Sequence, residues 1–202
     1  MMNQQRFERV IENMKKCGLS QILVTADPAI LYLIGREVKP MERAGAILIK
    51  ESGEVHAFMN NLFCFEPEEG MIMHYYADGE NVYKMIADEL EPGKVGFDDK
   101  WPSKHTISVL NERDDIIPVR GSDPIDMAKA LKDEEEKERL RHAASINDKA
   151  VEFGINHISP DIDELELADM IEEFFEENGA VQDEQYQLVS FGAGAAEPHH
   201  VP

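Results

Sequence analysis

SFGAGAAEPHHVP, residues Ser190–Pro202, carries the most specific sequence pattern in the chain. Gly192 and Gly194 allow the backbone to turn or to approach another group closely. Pro198 fixes its own φ and biases the preceding residue toward extended geometry, so the next side chain leaves a stiff segment. That side chain belongs to His199, which can donate and accept a proton near neutral pH. The pattern is typical of a catalytic imidazole; a solvated His-His pair or a tag remnant near a chain end is the alternative.

The same stretch resembles a segment that reads roughly ASG-x-NAA-x-PHH in the pita-bread metallopeptidases, the family of aminopeptidase P, prolidase, Xaa-Pro dipeptidase and creatinase. Gly194 stands where that family usually has Asn. The resemblance implies that His199 contacts the substrate, helps to stabilise or protonate the reacting amide, and is not a metal ligand. It also implies that the metal ligands (two Asp, one His and two Glu) lie downstream of this segment. The positions that match in register are Gly192, Ala195, Ala196, Pro198, His199 and His200.

Two acidic helices and a short strand are predicted upstream of the stretch. The first helix covers Asp133–Phe153, and its acidic first turn is interpreted as a capped, solvated helix start, with a cation site as the alternative. The second opens at Ser159-Pro160-Asp161, with Leu165 predicted inside and Glu164 predicted outside. The strand is predicted at Tyr186–Val189. These helices resemble the family's entry into its catalytic domain.

Strands and helices alternate over the first 120 or so residues, which predicts an α/β layer domain with a mixed sheet. The YLIG turn and the LIK-ESGEV hairpin resemble the N-terminal domain of the same family. Turn chemistry at Gly121–Pro124 predicts a boundary that gives domains 1–123 and 124–202. The first helix is predicted with Phe7 to Met14 on its apolar face and Gly18 at its C-terminal end. Further helices are predicted at Asp27–Ile34, Glu80–Leu90, Ser103–Asn111 and, as one or two turns, Asp126–Leu131, and strands at Ile22–Thr25, Ala44–Lys50, Glu54–Asn60, Met71–Tyr76, Val95–Phe97 and Ile116–Val119.

Composition excludes several classes of partner. The formal net charge is -21 at pH 7, so nucleic acid and anionic membrane surfaces are repelled. A hydrophobic content of 43% is enough for a folded core. Cys17 and Cys64 stand far apart without a CxxC motif, which fits a reducing compartment. No secretory signal and no run of about 18 apolar residues is present in the sequence, so we expect a soluble, cytoplasmic protein.

Few other catalytic or metal-binding motifs occur in the sequence. The sequence contains no HExxH helix, no GxGxxG loop, no P-loop and no GxSxG elbow. Asp98-Asp99 after a strand is interpreted as a turn cap, with a metal site as the alternative. The remaining histidines are predicted to be isolated surface or structural residues rather than metal ligands: His56, His74, His105, His142 and His157.

The resemblance, which covers nearly the whole chain, predicts a fold and a function. The fold is a creatinase-type N-terminal domain, α/β with a mixed sheet flanked by helices, followed by the beginning of a pita-bread α+β catalytic domain. The function is that of a homodimeric Xaa-Pro peptidase that hydrolyses the amide bond before proline in dipeptides or short peptides, with His199 catalytic. We expect two divalent metal ions (manganese, cobalt or zinc) in the full-length enzyme.

Within this chain we expect no metal, and the chain alone is expected to be inactive. Two alternatives stay open. One is a creatinase-like amidinohydrolase that works without metal, and the other is a non-catalytic relative that uses the fold as a binding module.

Overall fold

The computed structural model describes residues 3–25, 27–67, 69–180 and 187–200. It divides into two compact units, Met1–Leu131 and Lys132–Pro202. The helices of the first unit are α1 (Gln4–Cys17), α2 (Asp27–Ile34), α3 (Val82–Glu89), α4 (Ser103–Leu110) and α5 (Asp123–Ala130). Its strands are β1 (Gln21–Val24), β2 (Ala46–Lys50), β3 (Val55–Asn60), β4 (Ile72–Tyr76), β5 (Gly93–Phe97) and β6 (Ile116–Arg120). The second unit contains α6 (Glu134–His157) and α7 (Glu164–Glu177).

The first unit is built on one six-stranded sheet with the order β4-β3-β2-β1-β5-β6. β2 pairs antiparallel with β1 and β3, whereas the pairs β3–β4, β1–β5 and β5–β6 are parallel. β1 lies inside the sheet, with Ile22 opposite Ile49 on one side and Gly96 on the other. The mixed sheet with flanking helices that the sequence predicted is therefore confirmed.

Helices cover both faces of this sheet. One hydrophobic cluster joins the sheet to α1, α2 and α5, and the other joins it to α3 and α4. Phe7, Val10 and Met14 are buried on α1, as their spacing predicts. Gly18 ends that helix in the left-handed conformation, with φ 66°.

The division between the units falls after Leu131, whereas turn chemistry predicted a boundary at Asp123. The turn does not end the unit, because it opens α5, and α5 packs against α1. Asn13 donates a hydrogen bond from Nδ2 to the carbonyl of Pro124 at 3.1 Å, and Arg9 donates one to the carbonyl of Leu131. These contacts tie the helix after the turn to the first helix of the chain.

In the second unit α6 and α7 pack through Phe153 and Phe174, whose ring centroids are 4.8 Å apart. On α7, Ala168 is buried on the predicted inner face, but Leu165, which was also predicted there, is exposed, and Leu167 is buried instead. Of the predicted strand Tyr186–Val189, residues 187–189 form no strand, and Tyr186 lies outside the described residues. Among the described helices, none is both long and apolar enough to cross a membrane.

Candidate active-site segment

A single carboxylate at the start of α7 binds the histidine segment of the second unit, residues Ser190–His200, at two points. Asp163 caps this helix by accepting a hydrogen bond from the backbone of Glu166. Glu164 follows the cap, and its Oε1 accepts the Phe191 N–H at 2.5 Å. Its Oε2 accepts a hydrogen bond from His200 Nε2 at 2.9 Å. Both oxygens of one side chain thus hold residues at two points of the segment.

The turn at Gly194–Ala196 makes room for the ring of His200. A Cβ built on Gly194 would lie 2.9 Å from His200 Nε2 and 3.0 Å from its Cε1. The imidazole therefore packs directly against the glycine backbone. Glycine at the position where the family pattern has Asn lets His200 reach Glu164.

His199 differs from its neighbour in both exposure and backbone geometry. Its side chain is exposed, whereas His200 is half-buried against Glu164. Its φ is 75°, in the left-handed region that non-glycine residues seldom adopt. Such backbone conformations cost of order 1–3 kcal/mol and are concentrated at functional sites. The segment holds one histidine by its ring and presents the other to solvent.

The electrostatics of the anchor follow from these contacts. The hydrogen bond from the Phe191 amide lowers the pKa of Glu164, and the bond from His200 lowers it further. Glu164 is therefore an anion at neutral pH, which is the form that accepts both bonds. The sequence pattern had placed Glu164 on the outer face of α7. No local signal could have revealed its contacts, because the partners lie 27 and 36 positions away.

The described residues of the second unit do not fit a metal pair. Within residues 132–180 and 187–200, no three His, Cys, Asp or Glu side chains converge where one ion could bind them. No catalytic step through metal can therefore be built from these residues, and His199 is the group whose chemistry can be considered.

Asp98 of the first unit, where the sequence analysis left a metal site as an alternative, makes hydrogen bonds to two backbone amides. Its Oδ2 accepts the Thr25 N–H at 3.0 Å, and its Oδ1 accepts the Lys100 N–H at 2.9 Å. The carboxylate thus joins the ends of β1 and β5, which agrees with the turn-cap interpretation. It also lies on the wall of a cavity of about 580 Å³ beside Trp101 and His105.

Comparison with solved structures defines the class of protein. The chain is similar to a prolidase from Thermococcus sibiricus, with a TM-score of 0.76 and 24% identity over 91% of this chain and 52% of that one. It is also similar to the dipeptidase PepE from Mycobacterium ulcerans, with a TM-score of 0.77 and 20% identity over 87% of this chain and 49% of that one. The fold is therefore that of the prolidase-type proteins, with a creatinase-type N-terminal domain first.

Family models give the more specific result. The Creatinase/Prolidase N-terminal domain matches residues 6–131, and Metallopeptidase family M24 matches residues 138–202. The chain belongs to the creatinase/prolidase family of metallopeptidases. An uncharacterized peptidase of Staphylococcus aureus strain USA300 is 24% identical to it over 207 residues, which cover 98% of this chain and 57% of the relative. The chain thus spans a little over half the length of that relative.

Proposed function

We propose that the full-length protein is a metal-dependent Xaa-Pro peptidase that hydrolyses the amide bond before proline in dipeptides and short peptides. The observation that carries the proposal is the division of roles between two adjacent histidines. Glu164 binds the ring of His200 at 2.9 Å, while His199 is exposed in a left-handed backbone conformation. Family membership and the similarity to a prolidase support the same substrate class.

His199 acts on the reacting amide in this proposal. Hydrolysis adds water to the carbonyl carbon, breaks the C–N bond and delivers a proton to the leaving proline nitrogen. An imidazole can hydrogen-bond the carbonyl oxygen as negative charge develops, or donate the proton to the nitrogen. Both actions need an imidazole that reaches the substrate. The exposed His199 meets this requirement, and the ring of His200 is occupied by Glu164.

Two divalent metal ions (manganese, cobalt or zinc) belong to the proposal, as the family implies. The described residues of the second unit do not supply the ligands of this metal pair. The catalytic group that this chain contributes to the proposed reaction is therefore His199. The proposal also includes a homodimer of the full-length protein. Light scattering at micromolar concentration tests that part, and the mass of a monomer would contradict it.

The activity is tested on the full-length protein with Ala-Pro and Leu-Pro as substrates, Ala-Ala as the matched peptide without proline, and creatine as the small-molecule alternative. We expect hydrolysis of both proline dipeptides, with loss of activity after chelation of divalent metal. Creatine hydrolysis that survives chelation would favour the creatinase-like function instead. No turnover of any of these compounds by metal-loaded protein would contradict the peptidase proposal and favour a binding module.

A further inference from the structure

Two histidines and a glutamate meet on the face of the sheet that α3 covers. His56 lies on β3 and is buried, and His74 lies on the neighbouring strand β4. The parallel register pairs His56 with Ile72 and Phe58 with His74, so both imidazoles project from the same face. The carboxylate of Glu89, the last residue of α3, lies within 4.0 Å of both imidazoles. Three separate elements of the first unit thus supply one cluster.

The spacing of the three side chains is that of ligands around one ion. His56 Nδ1 lies 3.0 Å from His74 Nε2 and 3.6 Å from Glu89 Oε2. Glu89 Oε1 lies 4.0 Å from His74 Nε2. Ligand atoms bonded at about 2.0–2.1 Å to a tetrahedral zinc lie about 3.4 Å from one another. The observed separations of 3.0, 3.6 and 4.0 Å bracket that value.

A second carboxylate orients the buried imidazole. Glu54 Oε1 accepts a hydrogen bond from His56 Nε2 at 2.8 Å and another from Lys50 Nζ at 2.5 Å. Because Lys50 donates to the same oxygen, the Glu54 carboxylate is the acceptor of both bonds. The proton of His56 is therefore held on Nε2, and the lone pair of Nδ1 points toward His74 and Glu89. Metal-binding histidines typically have this second hydrogen bond to a carboxylate.

The surroundings allow an ion to enter and to be held. The ring of Phe58 stacks on His74 with 4.6 Å between centroids, which gives the cluster an apolar wall. The side chain of His56 is 4% exposed, that of His74 19% and that of Glu89 34%. The cluster is thus closed at His56 and open at Glu89, where a water molecule can complete four ligands around the ion.

We propose that the first unit binds one divalent transition-metal ion, with zinc as the best match, through His56 Nδ1, His74 Nε2 and the Glu89 carboxylate. Imidazole ligands favour zinc and its neighbours over magnesium and calcium. The bound ion joins the C-terminal end of α3 to β3 and β4. The sequence had predicted two isolated histidines and no metal in this chain; parallel pairing of β3 with β4 brings them together.

The test uses the 202-residue chain, freed of metal by chelation and titrated with zinc chloride against a chromophoric competitor. We expect one zinc per chain, a rise in Tm of several degrees, and the visible absorption bands of tetrahedral cobalt when Co²⁺ replaces zinc. His74→Gln and Glu89→Gln should each weaken zinc binding more than about ten-fold, and Glu54→Gln about 10–100-fold. Since no peptidase activity is measured, this test is independent of the proposed function.

His200→Gln and Glu91→Gln are the controls, because they change a histidine and a glutamate outside the cluster. Neither should change the affinity. Far-UV circular dichroism establishes that each variant is folded. Glu89→Gln changes a partly exposed side chain and leaves the buried His56 in place, so this variant is expected to fold. Zinc bound at well below one per chain would overturn the proposal. So would wild-type affinity in folded Glu89→Gln and His74→Gln, or loss of binding in His200→Gln alone.

Discussion

Glu164 Oε2 and His200 Nε2 lie 2.9 Å apart although 36 positions of sequence separate the two residues. The same carboxylate accepts the Phe191 N–H, so the segment is fixed at a backbone point and at a ring. With the ring of His200 engaged, the side chain of His199 is exposed to solvent. Two adjacent histidines of one motif therefore have different contacts and exposure, and their contributions can be compared by mutation.

Replacement of His199 should affect catalysis far more than folding. Asn is the informative substitute, because it tolerates the left-handed backbone that His199 adopts at φ 75°. In the full-length enzyme we expect His199→Asn and His199→Ala to lower kcat on Ala-Pro by about 10²–10⁴-fold. Steady-state kinetics measures the loss, and thermal unfolding should show little change for the Asn variant.

His200→Ala is the matched control for that experiment. It removes the ring that Glu164 binds, but it leaves the exposed imidazole next to it, so the loss of kcat should be much smaller. Equal losses in the two variants would point to a general disturbance of the segment. Full activity of His199→Asn on Leu-Pro would eliminate the proposed role.

Acid should release the anchor of the segment. The pKa of Glu164 is lowered below its ordinary value of 4.5, chiefly by the hydrogen bond from the Phe191 amide. A carboxyl with a lowered pKa stabilises the folded arrangement above its ordinary pKa, and this stabilisation is lost as the pH falls through the lowered value. We expect the Phe191 amide resonance to titrate with a midpoint below 4.5.

Two variants check the origin of that titration. Glu164→Ala should abolish it and should expose the Phe191 amide to hydrogen exchange at neutral pH. Glu173→Ala, which removes an exposed acid from the same helix, should leave it unchanged. A midpoint at or above the ordinary value would contradict the hydrogen bond to Glu164.

Asp98 and its neighbour should differ strongly in their contribution to stability. Asp98→Ala removes the acceptor of the Thr25 and Lys100 amides, and the buried Thr25 amide is left unsatisfied, which costs about 1–3 kcal/mol. Asp99→Ala removes an exposed ion pair with Arg120 and should cost only about 0–1 kcal/mol. Urea unfolding followed by Trp101 fluorescence measures both, and equal costs would contradict the cap.

His105 should make the first unit sensitive to mild acid. Burial, followed by the charge of Lys104, lowers the pKa of this imidazole, which contacts the Tyr83 hydroxyl at 2.9 Å and stacks on Trp101. The unfolded chain takes up a proton near pH 6.5 while the folded unit does not, so stability falls as the pH drops below that value. One such group contributes at most about 1.4 kcal/mol per pH unit.

The measurement is the urea midpoint of Trp101 fluorescence at pH 7 and pH 5.5. Trp101 is the only tryptophan in the sequence and reports on the neighbourhood of His105. The midpoint should fall at the lower pH in the wild type and fall less in His105→Gln. An identical pH dependence in the two proteins would show that His105 is not the group responsible.

Much of the first unit could be predicted because its signals are local. The spacing of Phe7, Val10 and Met14 identifies α1, and Gly18 marks its end. The hairpin at Glu51–Gly53 places β2 beside β3. The position of β4 could not be predicted in this way, because its parallel pairing with β3 depends on contacts between residues that no turn connects directly.

The candidate segment was predicted from motif chemistry, whereas its anchor was not. Pro198 and the flanking glycines marked His199 as the residue of interest, and its catalytic role remains a prediction. Glu164 was missed because helix periodicity places it on an outer face. A half-buried acid of this kind is recognised only when the packing of α7 against the distant segment is known.

The place of β1 inside the sheet has a consequence for synthesis of the protein. Ile22 finds its first partner, Ile49, soon after it is made, but Gly96 on its other side follows 74 positions later. At translation rates of about 5–20 residues per second, the nascent strand waits roughly 4–15 s for that neighbour. Throughout this interval one edge of the growing sheet is unpaired, so a chain that is truncated before β5 would be prone to aggregation.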